Sequence, residues 1–255
     1  MMSHLHIPDG VIAPVWFICG YLGMAALLTL AVRQVSREEV ASKIPRLGVL
    51  SAFMLLAMNI PLGFIPTHLN LTVLAAILLG PWLGVIAVFV VNLLLALVGH
   101  GGITVMGLNV LVLSSEALLG YYLFAALRQR VRLELATATA TVVALTASLA
   151  LMIGIVGLTQ IDLLWLLQEH QHGQEAETQT AATMAPQIEG DVQESEAEGR
   201  HSQHTSLNRF VMLVVPIGMV GIVLEAIAVT LLTSFILKVR PDLIACQDRQ
   251  TEKGE

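Results

Sequence analysis

Charge is scarce in this chain. Only 13% of its 255 residues are Asp, Glu, Lys or Arg, while 56% are hydrophobic and the mean hydropathy is +0.78. That balance excludes an ordinary soluble domain and points to a polytopic membrane protein. Cysteine is nearly absent. Cys19 lies in an apolar segment and Cys246 in the polar tail, so no disulfide framework defines the fold. No G-x-x-x-x-G-K-[ST] run occurs, which excludes a Walker-type nucleotide site. No H-E-x-x-H occurs, and no span carries two histidines at helical spacing, which argues against an intramembrane metalloenzyme. Basic clusters with interleaved aromatics are missing too, so nothing suggests nucleic acid. The N-terminus lacks a basic n-region, and the apolar run after Pro14 is long enough to span, which reads as an uncleaved helix.

What is present is a series of apolar runs. A helix needs about 20 mostly apolar residues to cross a bilayer. Segment one is Pro14–Val32 and segment two is Leu47–Ile65. Residues 69–99 are too long for one span, and Gly80-Pro81-Trp82 breaks them, because proline cannot continue an interior hydrogen-bond ladder. A short third helix, Leu69–Leu79, and a fourth, Pro81–Val98, follow. The fifth is Ile103–Leu127, the sixth Ala136–Leu167 and the seventh Arg209–Lys238. Gly80/Gly84 and Ala136/Ala140/Ala144 recur at the spacing that lets helices approach closely in lipid.

Seven spans put the two ends on opposite sides. Arg33, Arg37, Lys43 and Arg46 lie between helices one and two, Arg128, Arg130 and Arg132 follow helix five, and Lys238, Arg240, Arg249 and Lys253 follow helix seven. All three groups share one side, which the positive-inside rule makes cytoplasmic. A six-span alternative would split them. The expected architecture is therefore all-α, a multi-pass protein of the cytoplasmic (inner) membrane with its N-terminus outside and its C-terminus inside. Its parts are an outer N-terminal segment (1–13), helices one to six (14–167), an acidic outer loop (168–208), helix seven (209–238) and a cytoplasmic tail (239–255). The loop holds eight acids and one base, is poor in residues to bury, and is expected to be disordered.

In this topology all eight histidines fall on the outer side. Neutral imidazole is the commonest metal ligand in proteins. His4 and His6 lie in SHLHIPDG, His68 in IPTHLN and His100 in GHGGIT. These three groups sit at helix ends, among prolines and glycines that suit irregular backbone lining a cavity. They form the candidate metal site. The N-terminus offers further donors. With both initial methionines removed, Ser3 and His4 present amine, amide and imidazole in succession; with only Met1 removed, Met2-Ser3-His4 adds a second amide. Square-planar nitrogen sets of this kind suit Ni(II) and Cu(II). His170, His172, His201 and His204 lie in the acidic loop, where they are either solvated residues or a diffuse metal-collecting surface. Asn109 lies within reach of the His100 turn. Glu116 and Glu225 fall within spans, where ionisable residues are functional candidates by default, or else bond to neighbouring helices.

Four stretches then carry a family resemblance: HIPDG at 6–10, the histidine of IPTHL at 65–69, AAILLGPWLGV at 75–85 and GHGGITVMGLNV at 99–110. Together they resemble the substrate-binding membrane component of nickel/cobalt energy-coupling-factor (ECF) transporters, the CbiM/NikM type, over about residues 4–125. The resemblance implies a seven-helix component with its N-terminus outside. It implies partners: a transmembrane coupling protein, cytosolic ATPase subunits and a small accessory membrane protein. It also implies that metal is held by the N-terminal amine, the amide and imidazole of a histidine directly after the first methionine, and one histidine in the loop after helix two. His68 inherits the last role, and His6 inherits the first imidazole through HIPDG. Here His6 is not adjacent to the terminus, whereas Ser3-His4 would rebuild the arrangement after excision of Met2. His100 is read as a ligand or its neighbour, and Asp9 and Asn109 as residues that order the ligands. The expected function is capture of Ni²⁺ or Co²⁺ as transported substrate, with ATP hydrolysis on partner subunits and no catalysis or organic cofactor in this chain. The alternative is a non-transporting membrane metal sensor or scaffold.

Overall fold

The computed structural model describes residues 14–59, 68–98, 102–181 and 193–240; at 14, 37–40, 159–181, 193–214 and 217 only the backbone is described. Among the described residues every regular element is a helix: α1 (Pro14–Gln34), α2 (Arg37–Asn59), α3 (Thr72–Leu79), α4 (Pro81–Leu97), α5 (Met106–Leu127), α6 (Leu133–Ala181) and α7 (Gln193–Val239). Five stretches among the described residues are long and apolar enough to cross a membrane: Val15–Gln34, Ala41–Asn59, Met106–Leu127, Leu133–Leu158 and Gly218–Val239. Large apolar side chains such as Ile18, Leu22, Val49, Leu231 and Phe235 face outward on α1, α2 and α7, as lipid-facing helices require.

Three boundaries differ from those expected by ten residues or more. Helix α2 begins at Arg37 rather than Leu47, so Lys43 and Arg46 lie inside a helix and not in a connection. Pro45 is accommodated within it. Helix α6 runs on to Ala181 and α7 starts at Gln193. The stretch expected to be a disordered loop is thus helical over 168–181 and 193–208. Hydropathy finds where a helix suits lipid, not where it ends. The Gln, Glu and Ala that make this stretch polar are also good helix formers.

The chain divides into two compact units. One comprises 1–152 with 217–255, and the other comprises 153–216. The second consists of the distal parts of α6 and α7. The first holds the packed core and all the side-chain contacts discussed below.

At the centre of that first unit lies a short helical hairpin. All eight residues of α3 are buried. At 1.5 Å per residue it extends roughly 12 Å, less than half of a bilayer core. Gly80 ends it with φ 97° and ψ 165°, a conformation open in practice to glycine alone. Pro81 then occupies the first turn of α4, where its missing N–H is no loss. The chain doubles back so tightly that a Cβ on Gly84 would stand 3.0 Å from the Ala76 Cα. Helix α5 packs against this hairpin and against α1. A Cβ on Gly120 would meet Val73 of α3 at 2.8 Å, and one on Gly107 would meet the Gly20 backbone of α1 at 2.6 Å. Ala136, Ala140 and Ala144 place the inner face of α6 in the same core, joined by Met54, Met58 and Val229.

Candidate metal centre

An eight-residue helix inside an apolar core has a problem at each end. Its first N–H groups and last C=O groups have no intrahelical partner, and no water is at hand. In this chain charged residues from distant helices meet both ends. At the C-terminus, Lys43 of α2 is buried, and its Nζ donates to the Leu79 carbonyl at 3.5 Å. At the N-terminus, Glu225 of α7 accepts from the Leu71 N–H at 2.8 Å and from the Asn70 N–H at 3.3 Å, one bond to each oxygen. The acid at the amino end and the base at the carboxyl end both match the helix dipole.

Asn70 organises the rest of this corner. Its Oδ1 accepts from the Thr72 N–H at 2.9 Å, which caps the first turn of α3. Its Nδ2 donates to Glu116 Oε1 of α5 at 3.0 Å. Leu71 adopts φ 56° and ψ 20°, the only left-handed non-glycine among the described residues. This conformation costs a leucine roughly 1–2 kcal/mol. Successive N–H groups in such a turn form a concave anion-binding nest, and the Glu225 carboxyl fills it.

His68 immediately precedes this corner. It is half-buried and is followed by Leu69 and then Asn70. Its Nδ1 lies inside the protein without a hydrogen bond to a described residue, while the residue is engaged elsewhere. Two hydrogen-bonded residues, Asn70 and Leu71, thus anchor the chain two and three positions beyond the imidazole.

The other candidate ligands distribute as follows. Ser3, His4, His6, Asp9 and His100 lie outside the described residues. Asn109 is buried on α5. Just before it, Tyr21 of α1 donates its hydroxyl to the Ile103 carbonyl and so ties α1 to the segment that leads into α5. His170, His172, His201 and His204 lie on the helical backbone of α6 and α7. Among the described residues no group of three or more His, Cys, Asp or Glu side chains stands at metal-binding spacing, so His68 is the one candidate ligand whose surroundings can be read. Sequence reasoning did not single out Asn70. A polar residue two positions after a candidate ligand and just before a buried apolar helix was the available signal.

A buried, charge-capped half-helix behind a histidine, within a bundle of lipid-compatible helices, defines a polytopic helical membrane protein with a polar corner in its core. The family is shown by a model that matches residues 6–243, described as the cobalt uptake substrate-specific transmembrane region, CbiM. The chain belongs to the CbiM family. A protein of Haloquadratum walsbyi, named as a candidate metal transport protein, is 38% identical over 130 residues, 49% of this chain and 60% of that protein. The fused nickel transport protein NikMN of Rhodobacter capsulatus is 33% identical over 111 residues, 42% of this chain and 32% of its own length. The chain thus spans less than two thirds of these relatives. A crystal structure of a transition metal transporter shares the fold, with a TM-score of 0.63 and 21% identity over 92% of this chain and 93% of that one.

Proposed function

We propose that this protein is the metal-specific membrane component of an ECF-type importer, capturing Ni²⁺ or Co²⁺ on the outer face of the cytoplasmic membrane. The observation that carries the proposal is the placement of His68, in a CbiM-family chain, directly ahead of the clamped corner at the start of α3. Metal bound there is held by His68 together with the N-terminal segment. His4 and His6 supply imidazoles, Ser3 supplies an amine where processing exposes it, and His100 closes the site or borders it. Asp9 and Asn109 order these ligands. Imidazole and backbone nitrogen suit both metals. Arg33, Arg128, Arg130, Arg132 and Lys238 mark the cytoplasmic side, which leaves the histidines outside.

The chain supplies recognition, and partner subunits supply energy. Fusion of related components in the nickel transport relative supports a multi-part assembly, and the proposed partners are a transmembrane coupling protein, cytosolic ATPases and a small accessory membrane protein. The acidic, histidine-bearing stretch 168–208 is proposed to lie outside and to raise the local metal concentration. Uptake of radiolabelled Ni²⁺ and Co²⁺ by cells expressing the chain, with and without active partner ATPase, tests the proposal. ATPase-dependent accumulation of one of the two metals is expected. Binding without accumulation in either case would instead identify a sensor or scaffold.

A further inference from the structure

Glu116 and Glu225 both reach one residue, Asn70, from different helices. Asn70 is 46 residues from Glu116 and 155 from Glu225 in sequence. All three are buried. Polar groups withdrawn from lipid and water are retained when their bonds do something the fold needs. We infer that Glu225 and Glu116, acting through Asn70, are positioning residues that set the His68 imidazole for metal and thereby determine the affinity and geometry of the site. The inference rests on His68 being a ligand, as proposed above.

The two acids act differently. Glu225 uses both carboxyl oxygens, one for the Leu71 N–H and one for the Asn70 N–H. A glutamine in its place would retain one acceptor and turn an amide N–H₂ against the second backbone N–H. Two donors would then face each other, and the left-handed turn at Leu71 would lose half its support. Glu116 uses one oxygen, Oε1, for the Asn70 amide; Oε2 has no hydrogen-bond partner among the described residues. A glutamine there would keep the bond that matters. Isosteric amides therefore separate the two positions, although both replace one buried acid.

The Asn70–Glu116 bond also has a direction that can be reversed. Asn70→Asp removes the donor and sets two carboxyls against each other, while its remaining oxygen still caps Thr72. Adding Glu116→Gln restores a donor–acceptor pair with the roles exchanged, because the Gln amide can donate to the new carboxyl. The double variant has the same number of buried acids as the native protein.

Metal titration of the purified full-length protein in micelles, with NiCl₂ or CoCl₂ alone, tests this together with the visible absorption spectrum of the bound ion. Thermal unfolding of the metal-free forms runs alongside. Loss of a residue that orients a metal ligand typically weakens binding about 10- to 100-fold. E225Q and N70D are expected to weaken binding by about that factor and to shift the ligand-field bands. E116Q is expected to bind nearly as the native protein does, and N70D/E116Q to recover both affinity and spectrum. A purely structural role would lower the unfolding temperature and leave the spectrum of the folded fraction unchanged. Native affinity and spectrum in folded E225Q, or a double variant no better than N70D, would overturn the inference. If E225Q does not fold, the comparison of N70D with N70D/E116Q decides it. H68A is the reference: native binding by H68A would sink the assignment of His68 itself, whereas loss in H68A with native binding in N70D would sink the positioning role alone.

Discussion

Gly107→Ala is the sharpest probe of the packing that carries the site. The added methyl would stand 2.6 Å from both the Gly20 carbonyl carbon and the Tyr21 nitrogen, where ordinary contact begins at 3.4 Å. Both atoms belong to the backbone of α1, so no side chain can swing away. The helices must separate locally by about 0.8 Å, and overpacking of this kind costs about 1–3 kcal/mol. The helix preference of Ala over Gly returns up to about 1 kcal/mol. A net destabilisation of about 1–2 kcal/mol is expected. The displaced helix also carries Tyr21, whose hydroxyl holds the Ile103 carbonyl, so the segment leading into α5 should loosen as well. Denaturant unfolding in micelles, followed by the fluorescence of Trp16, Trp82 and Trp165, measures the effect. Gly48→Ala is the control. Nothing lies within 4 Å of a Cβ there, so helix preference alone acts and stability should hold or rise. Gly20→Ala should fall between the two, because its nearest obstacle is the movable Leu108 side chain at 2.7 Å. A Gly107→Ala protein as stable as the Gly48→Ala protein would refute this account of the α1–α5 contact.

Other outcomes follow from the half-helix and the histidine. Gly80→Ala forces a side chain into φ 97°, so it should lower unfolding stability by about 1–3 kcal/mol in the same assay. Lys43→Met keeps the apolar stem but removes the donor to Leu79; a loss of about 1 kcal/mol with unchanged metal affinity is expected, since the lysine caps the far end of α3. Metal binding should weaken as pH falls through about 6.5, the ordinary histidine range, because a protonated imidazole cannot coordinate. Equal affinities at about pH 5 and about pH 7.5, on either side of that range, would count against histidine ligation.

Much of the helical order was legible in the sequence, for a physical reason. A helix break needs particular residues, and Gly80-Pro81 supplied them, so the division between α3 and α4 could be read to the residue. Small residues at Ala136, Ala140 and Ala144 likewise marked the buried face of α6. Ends were less legible. Helix α2 continues through Lys43 and Arg46, and α6 and α7 continue through polar sequence, because hydropathy reports lipid compatibility and not backbone hydrogen bonding. Positive charge was read as a marker of the cytoplasmic side, yet Lys43 turns inward to a helix terminus. Glu116 and Glu225 stood out as acids within apolar spans, but their meeting at Asn70 is a property of the folded core that no local pattern encodes.

The central claim is that His68 holds the transported metal. Native mass spectrometry of the purified protein equilibrated with Ni²⁺ or Co²⁺, beside its H68A variant, tests it most directly. The account predicts retained metal in the native protein and its loss in a folded H68A protein. Equal metal occupancy in the two would contradict it.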